Sequence, residues 1–498
     1  MNYPYWQLGF PGGLLIATVA VLHVFVSHFA VGGGAYLVLL ERKAYQQNDA
    51  ELLSYVKRHS KFFALLTVVF GAVTGVGIWF TIGLVSPEAT SSLIHTFVWG
   101  WAIEWVFFFV EIAAVLIYAY FWDRLDRRTH LAMGWIYFIA AWASLAVING
   151  IITYMLTPGR WLQTKNFWDG FLNPTYLPSL LIRTAMAAVL AGMFGLITAL
   201  NQRSPVRERI VRWAGTWLVI GIVFLAPFGD WYYAKFPAFA HEYVAGLVPA
   251  ARYALRVGEF CALVAIVLAL IFAVWKPRLI NAAVVAVLLI SGLALIGSGE
   301  YFREFGRKPY ATNGYIYAND LRMSDMEQIN AEGVAQVSPW LAPAKADSMQ
   351  YGRELFDAEC GACHSVNGYR AIRPLVRGWD EAFARRMLLH LPLMRGTMPP
   401  FAGNQQDRTA LGSYLASLAP AVISGANNIE IGRQVFQTRC AMCHTLRSQR
   451  RPLDFAGVDP SIVEDQIKML GDISPDMPAF TGTDAERHAL AVYLCSNP

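Results

Sequence analysis

Eight stretches of mostly apolar residues, roughly 10–40, 62–84, 95–121, 131–156, 175–200, 210–229, 251–274 and 279–302, set the first limit on this chain. Crossing the hydrocarbon as a helix takes about 20 such residues. Inside lipid the backbone must satisfy its own hydrogen bonds, which leaves helices or closed barrels. These runs are continuous rather than alternating, so they predict helices. Composition agrees: 56% of residues are hydrophobic and 15% charged, against about 25% charged in an ordinary soluble domain. The 16 Trp and 30 Phe exclude a disordered chain, and a net charge of +5 over 498 residues calls for no nucleic acid.

Basic residues orient the helices. The leader MNYPYWQLGF has no Lys or Arg, so the first span reads as a retained helix with its N-terminus outside. The segments after spans 1, 3, 5 and 7 hold Arg42, Lys43, Lys57, Arg58 and Lys61; Arg124, Arg127 and Arg128; Arg203, Arg207, Arg209 and Arg212; and Lys276 and Arg278. The intervening loops hold only Arg160, Lys165 and Lys235. The positive-inside rule then places everything after span 8 on the outer side.

Past residue 302 the apolar runs stop. A Pro/Gly/Tyr-rich linker (305–348) leads into a tail that repeats itself. YGRELFDAECGACH (351–364) matches IGRQVFQTRCAMCH (431–444), and MPPFAGNQQDRTALGSYL (398–415) matches MPAFTGTDAERHALAVYL (477–494). A duplicated unit of about 80 residues explains both pairs. Each unit carries C-x-x-C-H, the attachment signature of c-type haem. Cys360 and Cys363, then Cys440 and Cys443, would bond the haem vinyl groups, and His364 and His444 would ligate iron. Met398 and Met477, each followed by Pro, are the candidate opposite ligands, and a thioether there raises the potential. Met394 is given a packing role. A zinc site would want four protein ligands and leaves Met-Pro unexplained. Cys261 and Cys495 read as small hydrophobes. With 16 basic and 16 acidic residues from 345 to 498, charge names no electron partner.

Ionisable side chains inside spans are functional candidates. They are His23 and His28 in span 1, Glu104 and Glu111 on one face of span 3, Arg183 in span 5, Arg256 and Glu259 in span 7, and Glu300, Arg303 and Glu304 at the end of span 8. Interhelical hydrogen bonding is the plain alternative for any one of them. Arg183 and Glu259 lie at similar depths and are expected to pair.

The stretches AVLHVFVSHFAVGG (20–33), KFFALLTVVFGAVTG (61–75), WAIEWVFFFVE (101–111), FWDRL (121–125), NG (149–150), NP (173–174) and EFGRKPY (304–310) carry a resemblance in order and position. Together they resemble subunit I of cytochrome bd oxidase. Beside the two small all-α cytochrome c domains (349–420 and 421–498) read from the attachment repeats, the resemblance implies an all-α, polytopic membrane bundle of about eight spans (1–304). It also implies two high-spin haems of b or d type near the outer face. His23 would be axial ligand to the oxygen-binding haem and Glu304 ligand to the other, with Arg307 beside it. Glu104 and Glu111 would lie near the haems and their proton route, although their spacing is one residue shorter than the family's.

Two departures from that family stand out. Its low-spin haem takes a His on span 5 and a Met on span 7, where this chain aligns Arg183 and Gly258. Its long quinol-binding loop between spans 6 and 7 shrinks to about 22 residues, 227–248. The expectation is a multi-pass enzyme of the bacterial cytoplasmic membrane, with its tail on the periplasmic side. It would be fed by an outer cytochrome c rather than by quinol, would be paired with a second bd-like or other integral subunit, and would reduce oxygen. A nitric oxide reductase or a non-catalytic electron-transfer subunit is the alternative.

Overall fold

The computed structural model describes residues 8–203, 205–244, 249–338, 341, 348–394, 396–418, 423, 425–444, 446, 453–474 and 476–496. Among these described residues, eight helices are long and apolar enough to span: α1 (Gly12–Gln46), α2 (Ala50–Val85), α3 (Val98–Tyr120), α4 (Arg127–Tyr154), α5 (Tyr176–Ala199), α6 (Val206–Ala234), α7 (Ala250–Trp275) and α8 (Ala282–Arg307). The chain divides into a unit centred on Leu15–Arg307 and another that includes Tyr315–Pro498.

The helices run longer than their apolar cores because amphipathic turns extend them. Asp49 caps α2 by accepting from Leu52 N at 3.0 Å, so Lys57, Arg58 and Lys61 ride on the helix rather than in a loop. Asp126 does the same for α4, accepting from Arg128 N at 2.9 Å. Pro227 lies inside α6, which continues to Ala234. The α6–α7 connection is therefore shorter than the 22 residues counted from sequence.

Lipid offers apolar side chains nearly the same surroundings as protein, so close backbone approach and packing hold membrane helices together. α1 shows how. Cβ atoms on Gly32, Gly33 and Gly34 would lie 1.9 Å from Ala187 O, 2.5 Å from Phe63 and 2.6 Å from Tyr137. Three consecutive glycines thus admit α5, α2 and α4 in turn. α5 is the central helix, buried from Ala185 to Leu196 except at Ala188. Gly192 lets α6 approach it, since a Cβ there would lie 2.4 Å from Ala214 O. In α7 the buried residues are all small: Ala251, Ala254, Gly258, Ala265, Ala269 and Ala273.

The tail has two cores. The first draws on α9 (Ser348–Glu359), α10 (Glu381–Leu389) and α11 (Gln405–Leu418). The second draws on α12 (Asn428–Val435), α13 (Pro460–Lys468) and α14 (Asp484–Ser496). The repeat in sequence is a repeat in packing. A Cβ on Gly352 would lie 2.2 Å from Ala410 O, and one on Gly432 2.0 Å from Ala489 O. The ring pairs match as well: Phe356–Tyr414 centroids are 5.8 Å apart and Phe436–Tyr493 centroids 5.9 Å. Part of the stretch read as linker packs into the first core, where Ile329, Val334 and Leu341 are buried.

Candidate functional site

In the bundle, His23 Nδ1 lies 3.0 Å from Thr74 Oγ1, whose hydroxyl donates to Phe70 O at 2.7 Å. That hydroxyl has one proton and has spent it, so it accepts from His23 Nδ1–H. Nε2 is left with a lone pair, the form a metal-ligating imidazole needs. Beside the ring the α2 backbone is bare: a Cβ on Gly75 would come 3.2 Å from His23 Cε1, and one on Gly71 would meet open space. A π-helical stretch, Leu66–Gly71, immediately precedes this surface. A half-buried imidazole facing a glycine-lined helix fits an axial ligand to a flat macrocycle. His28, one helical turn and a residue further on, is 3% exposed and donates Nδ1–H to Val24 O at 2.8 Å.

Protonatable groups run along α3 and α4. Glu104 Oε1 accepts from Ser144 Oγ at 3.0 Å, and Glu111 Oε1 lies 3.3 Å from Tyr137 OH. Seven residues further along α3, Tyr118 OH donates to Glu41 Oε2 at 2.6 Å, and His130 Nδ1 sits 2.8 Å from Glu41 Oε1. Glu41 and His130 are fully buried. Sequence reasoning missed this pair, because Glu41 hides among the basic residues closing span 1 and its partner lies 89 positions away. Successive groups are about 10 Å apart at 1.5 Å per residue.

The expected Arg183–Glu259 pair does not form. Arg183 Nη2 contacts Glu300 Oε1 at 3.3 Å, and Arg303 Nε holds Glu300 Oε2 at 2.8 Å. The reason is the rotation of α7. Its small-residue seam faces inward, which turns Arg256 and Glu259 outward, where both are exposed. At Gly258 a Cβ would lie 2.7 Å from Ser298 Oγ, so a Met-sized side chain has no room there. Residues at this level do not fit a low-spin haem: one position holds an ion-paired arginine and the other is packed against α8.

At the end of α8, Arg307 Nη2 contacts Glu304 Oε2 at 2.5 Å, while its Nη1 donates to Ala311 O at 2.7 Å and lies 3.1 Å from Met155 Sδ. The guanidinium fixes the carboxylate and is itself fixed.

In the tail, α9 delivers the first attachment motif. Cys363 N and His364 N both donate to Cys360 O, at 3.0 and 2.8 Å, which turns the two thiols and the imidazole onto one surface. His364 Nδ1–H donates to Arg370 O at 3.2 Å, and a carbonyl can only accept, so Nε2 again keeps its lone pair. Burial lowers the pKa of this imidazole, which favours its neutral form. Burial also pushes the Cys440 thiol up to about 12 and raises Cys360 further, aided by Glu359 and Cys363. Such thiols suit thioether formation from bound haem better than zinc thiolates. Among the described residues no three His, Cys, Asp or Glu side chains gather as a metal cluster. Met398 lies against the first core, and Met394 is buried in it.

Residues 14–236 match the family model of cytochrome bd terminal oxidase subunit I. Residues 347–415 and 427–494 each match that of cytochrome c oxidase, cbb3-type, subunit III. No curated protein matches. Among solved structures the chain is similar to the bd oxidase from Geobacillus thermodenitrificans, at 17% identity and a TM-score of 0.52, covering 61% of this chain and 88% of that one. The membrane half thus has the fold of bd oxidase subunit I, and the tail is a pair of cytochrome c domains. Both families imply haem, and the chain is a multi-pass membrane protein.

Proposed function

We propose that this bd-like membrane oxidoreductase takes electrons from an outer cytochrome c onto two covalent c-type haems and uses them to reduce oxygen at a high-spin haem pair in the bundle. The observation that carries the reading is the Arg183–Glu300 contact at the level where the family has its quinol-side haem, in a chain that also holds two attachment repeats. The entry lost in the bundle is regained in the tail. The positive-inside pattern supports a tail on the periplasmic face of a bacterial cytoplasmic membrane.

When bound, the haems supply redox-active iron. The chain's own residues do the rest. Thr74 holds His23 with Nε2 presented, and Arg307 orients Glu304. Glu104 and Glu111 hold protons beside the site, and the buried Glu41–His130–Tyr118 group lies between them and the inner surface. Outward charges at Arg256 and Glu259 are costly against lipid and fit coverage by a second membrane subunit.

The test is an optical one on the purified full-length protein. His23→Ala should abolish the CO difference spectrum of the bundle and oxygen consumption while the c-haem spectrum persists. An unchanged CO spectrum would leave His23 a packing residue. A protein that binds no CO at all would be an electron-transfer subunit, and one that reduces nitric oxide but not oxygen would be a nitric oxide reductase.

A further inference from the structure

We propose that Arg439 is a positioning residue that seats the second haem-attachment motif on the first cytochrome c domain, so that the two tail sites form one fixed pair. The proposal rests on the reading of two c-type haems.

The repeat itself exposes the device. Arg439 stands immediately before Cys440, where the first repeat has Glu359 before Cys360. Thr481, four residues past Met477, stands where the first repeat has Ala402. In the first repeat this pair closes within its own domain: Ala402 N donates to Glu359 Oε2 at 3.2 Å. In the second it reaches across. Arg439 Nη1 donates to Thr481 Oγ1, Thr481 Oγ1 donates to Asp380 Oδ2 at 2.8 Å, and Arg439 Nη1 lies 3.4 Å from the same Asp380 oxygen.

Asp380 belongs to the first repeat, and it is held in place. Its Oδ1 accepts from Phe383 N at 2.8 Å as the cap of α10. Burial would raise this carboxyl, but the bonds from Phe383 N and Thr481, with the Arg439 charge, bring it below the usual carboxylate range. It is therefore an anion facing a cation. The Arg439 side chain is 9% exposed and its guanidinium lies over two rings, Phe383 of the first repeat at 5.6 Å and Phe480 of the second at 5.8 Å. Met442 and Cys443, inside the second attachment motif, pack against the core of the first domain.

A partly buried charge pair of this kind contributes more to geometry than to net stability. Lysine would keep the charge but lose the planar fork that binds threonine and aspartate together. A fixed positive charge beside the second attachment site also favours reduced over oxidised iron there, raising that potential. The carboxylate of Asp380 moderates the same field.

The experiment uses the full-length protein with R439Q, R439K and D380N, the last keeping a capping side chain at α10. A haem-stained denaturing gel of the wild type first tests for two covalent haems; fewer would remove the underlying reading and the proposal with it. Redox titration and magnetic coupling between the two ferric tail haems test the proposal itself. R439Q should lower one tail potential alone and broaden the coupling. D380N should broaden the coupling and move the same potential upward. R439K should broaden the coupling with the potential near wild type. If R439Q fails to retain its second haem, D380N decides alone. Unchanged coupling and potentials in R439Q and D380N, or in D380N alone where R439Q loses that haem, would overturn the proposal.

Discussion

The membrane bundle and the tail hold their candidate sites by different means. In the tail, two thiols and an imidazole sit within five consecutive residues, and one helical turn suffices to gather them. In the bundle, His23 takes its orientation from Thr74, 51 residues away, and Arg183 finds Glu300 117 residues away. A site built locally survives much remodelling around it. A site built from helix rotation depends on every glycine and alanine that sets the rotation, as α7 shows.

That contrast is sharpest where the local chemistry is removed outright. Cys360→Ala with Cys363→Ala, or Cys440→Ala with Cys443→Ala, should each delete one covalent haem and leave the other, because thioether bonds need those thiols. Haem staining after denaturation checks it; undiminished staining in both double variants would break the comparison at its tail end.

A smaller effect should follow from removing the support of the tail site rather than its ligands. Asp407 is 2% exposed and accepts from Tyr351 OH at 2.6 Å and from Val334 N and Asn404 N, both at 3.0 Å. Asp407→Ala leaves three donors unsatisfied, a cost of about 3 kcal/mol at roughly 1 kcal/mol each. Thermal unfolding followed at the c-haem absorption should show it, with the bundle's transition unmoved. Equal shifts in both transitions would mean that the two regions do not respond separately.

The smallest change is expected at Arg183. Arg183→Met takes one cation from Glu300 but leaves Arg303 2.8 Å from it, so the loss should be about 1–2 kcal/mol, below the 3–5 kcal/mol typical of orphaning a buried charge. Unfolding of the bundle in detergent measures it. A loss at the upper figure would show that Arg303 does not compensate.

Legibility from sequence followed the same division. C-x-x-C-H and its repeat could be read because the chemistry and its spacing lie in one short segment, and the spans could be read because hydropathy is additive along the chain. The partner of Arg183 could not. Choosing Glu300 over Glu259 required knowing which face of α7 the small residues bury, and that is decided by contact with α8. Glu41 with His130, and Arg439 with Asp380, were hidden for the same reason: each joins segments that meet only in the folded chain. The stretch 305–348 looked like a tether by composition, yet Ile329 and Val334 lie in a core.

The central claim is that electrons enter through the tail and not through quinol. Oxygen uptake by the purified, full-length complex measures it directly, with reduced cytochrome c and reduced quinol as alternative donors. The account predicts uptake with cytochrome c that is lost in Cys440→Ala with Cys443→Ala, and none with quinol. Quinol-driven uptake that persists in that double variant would contradict it.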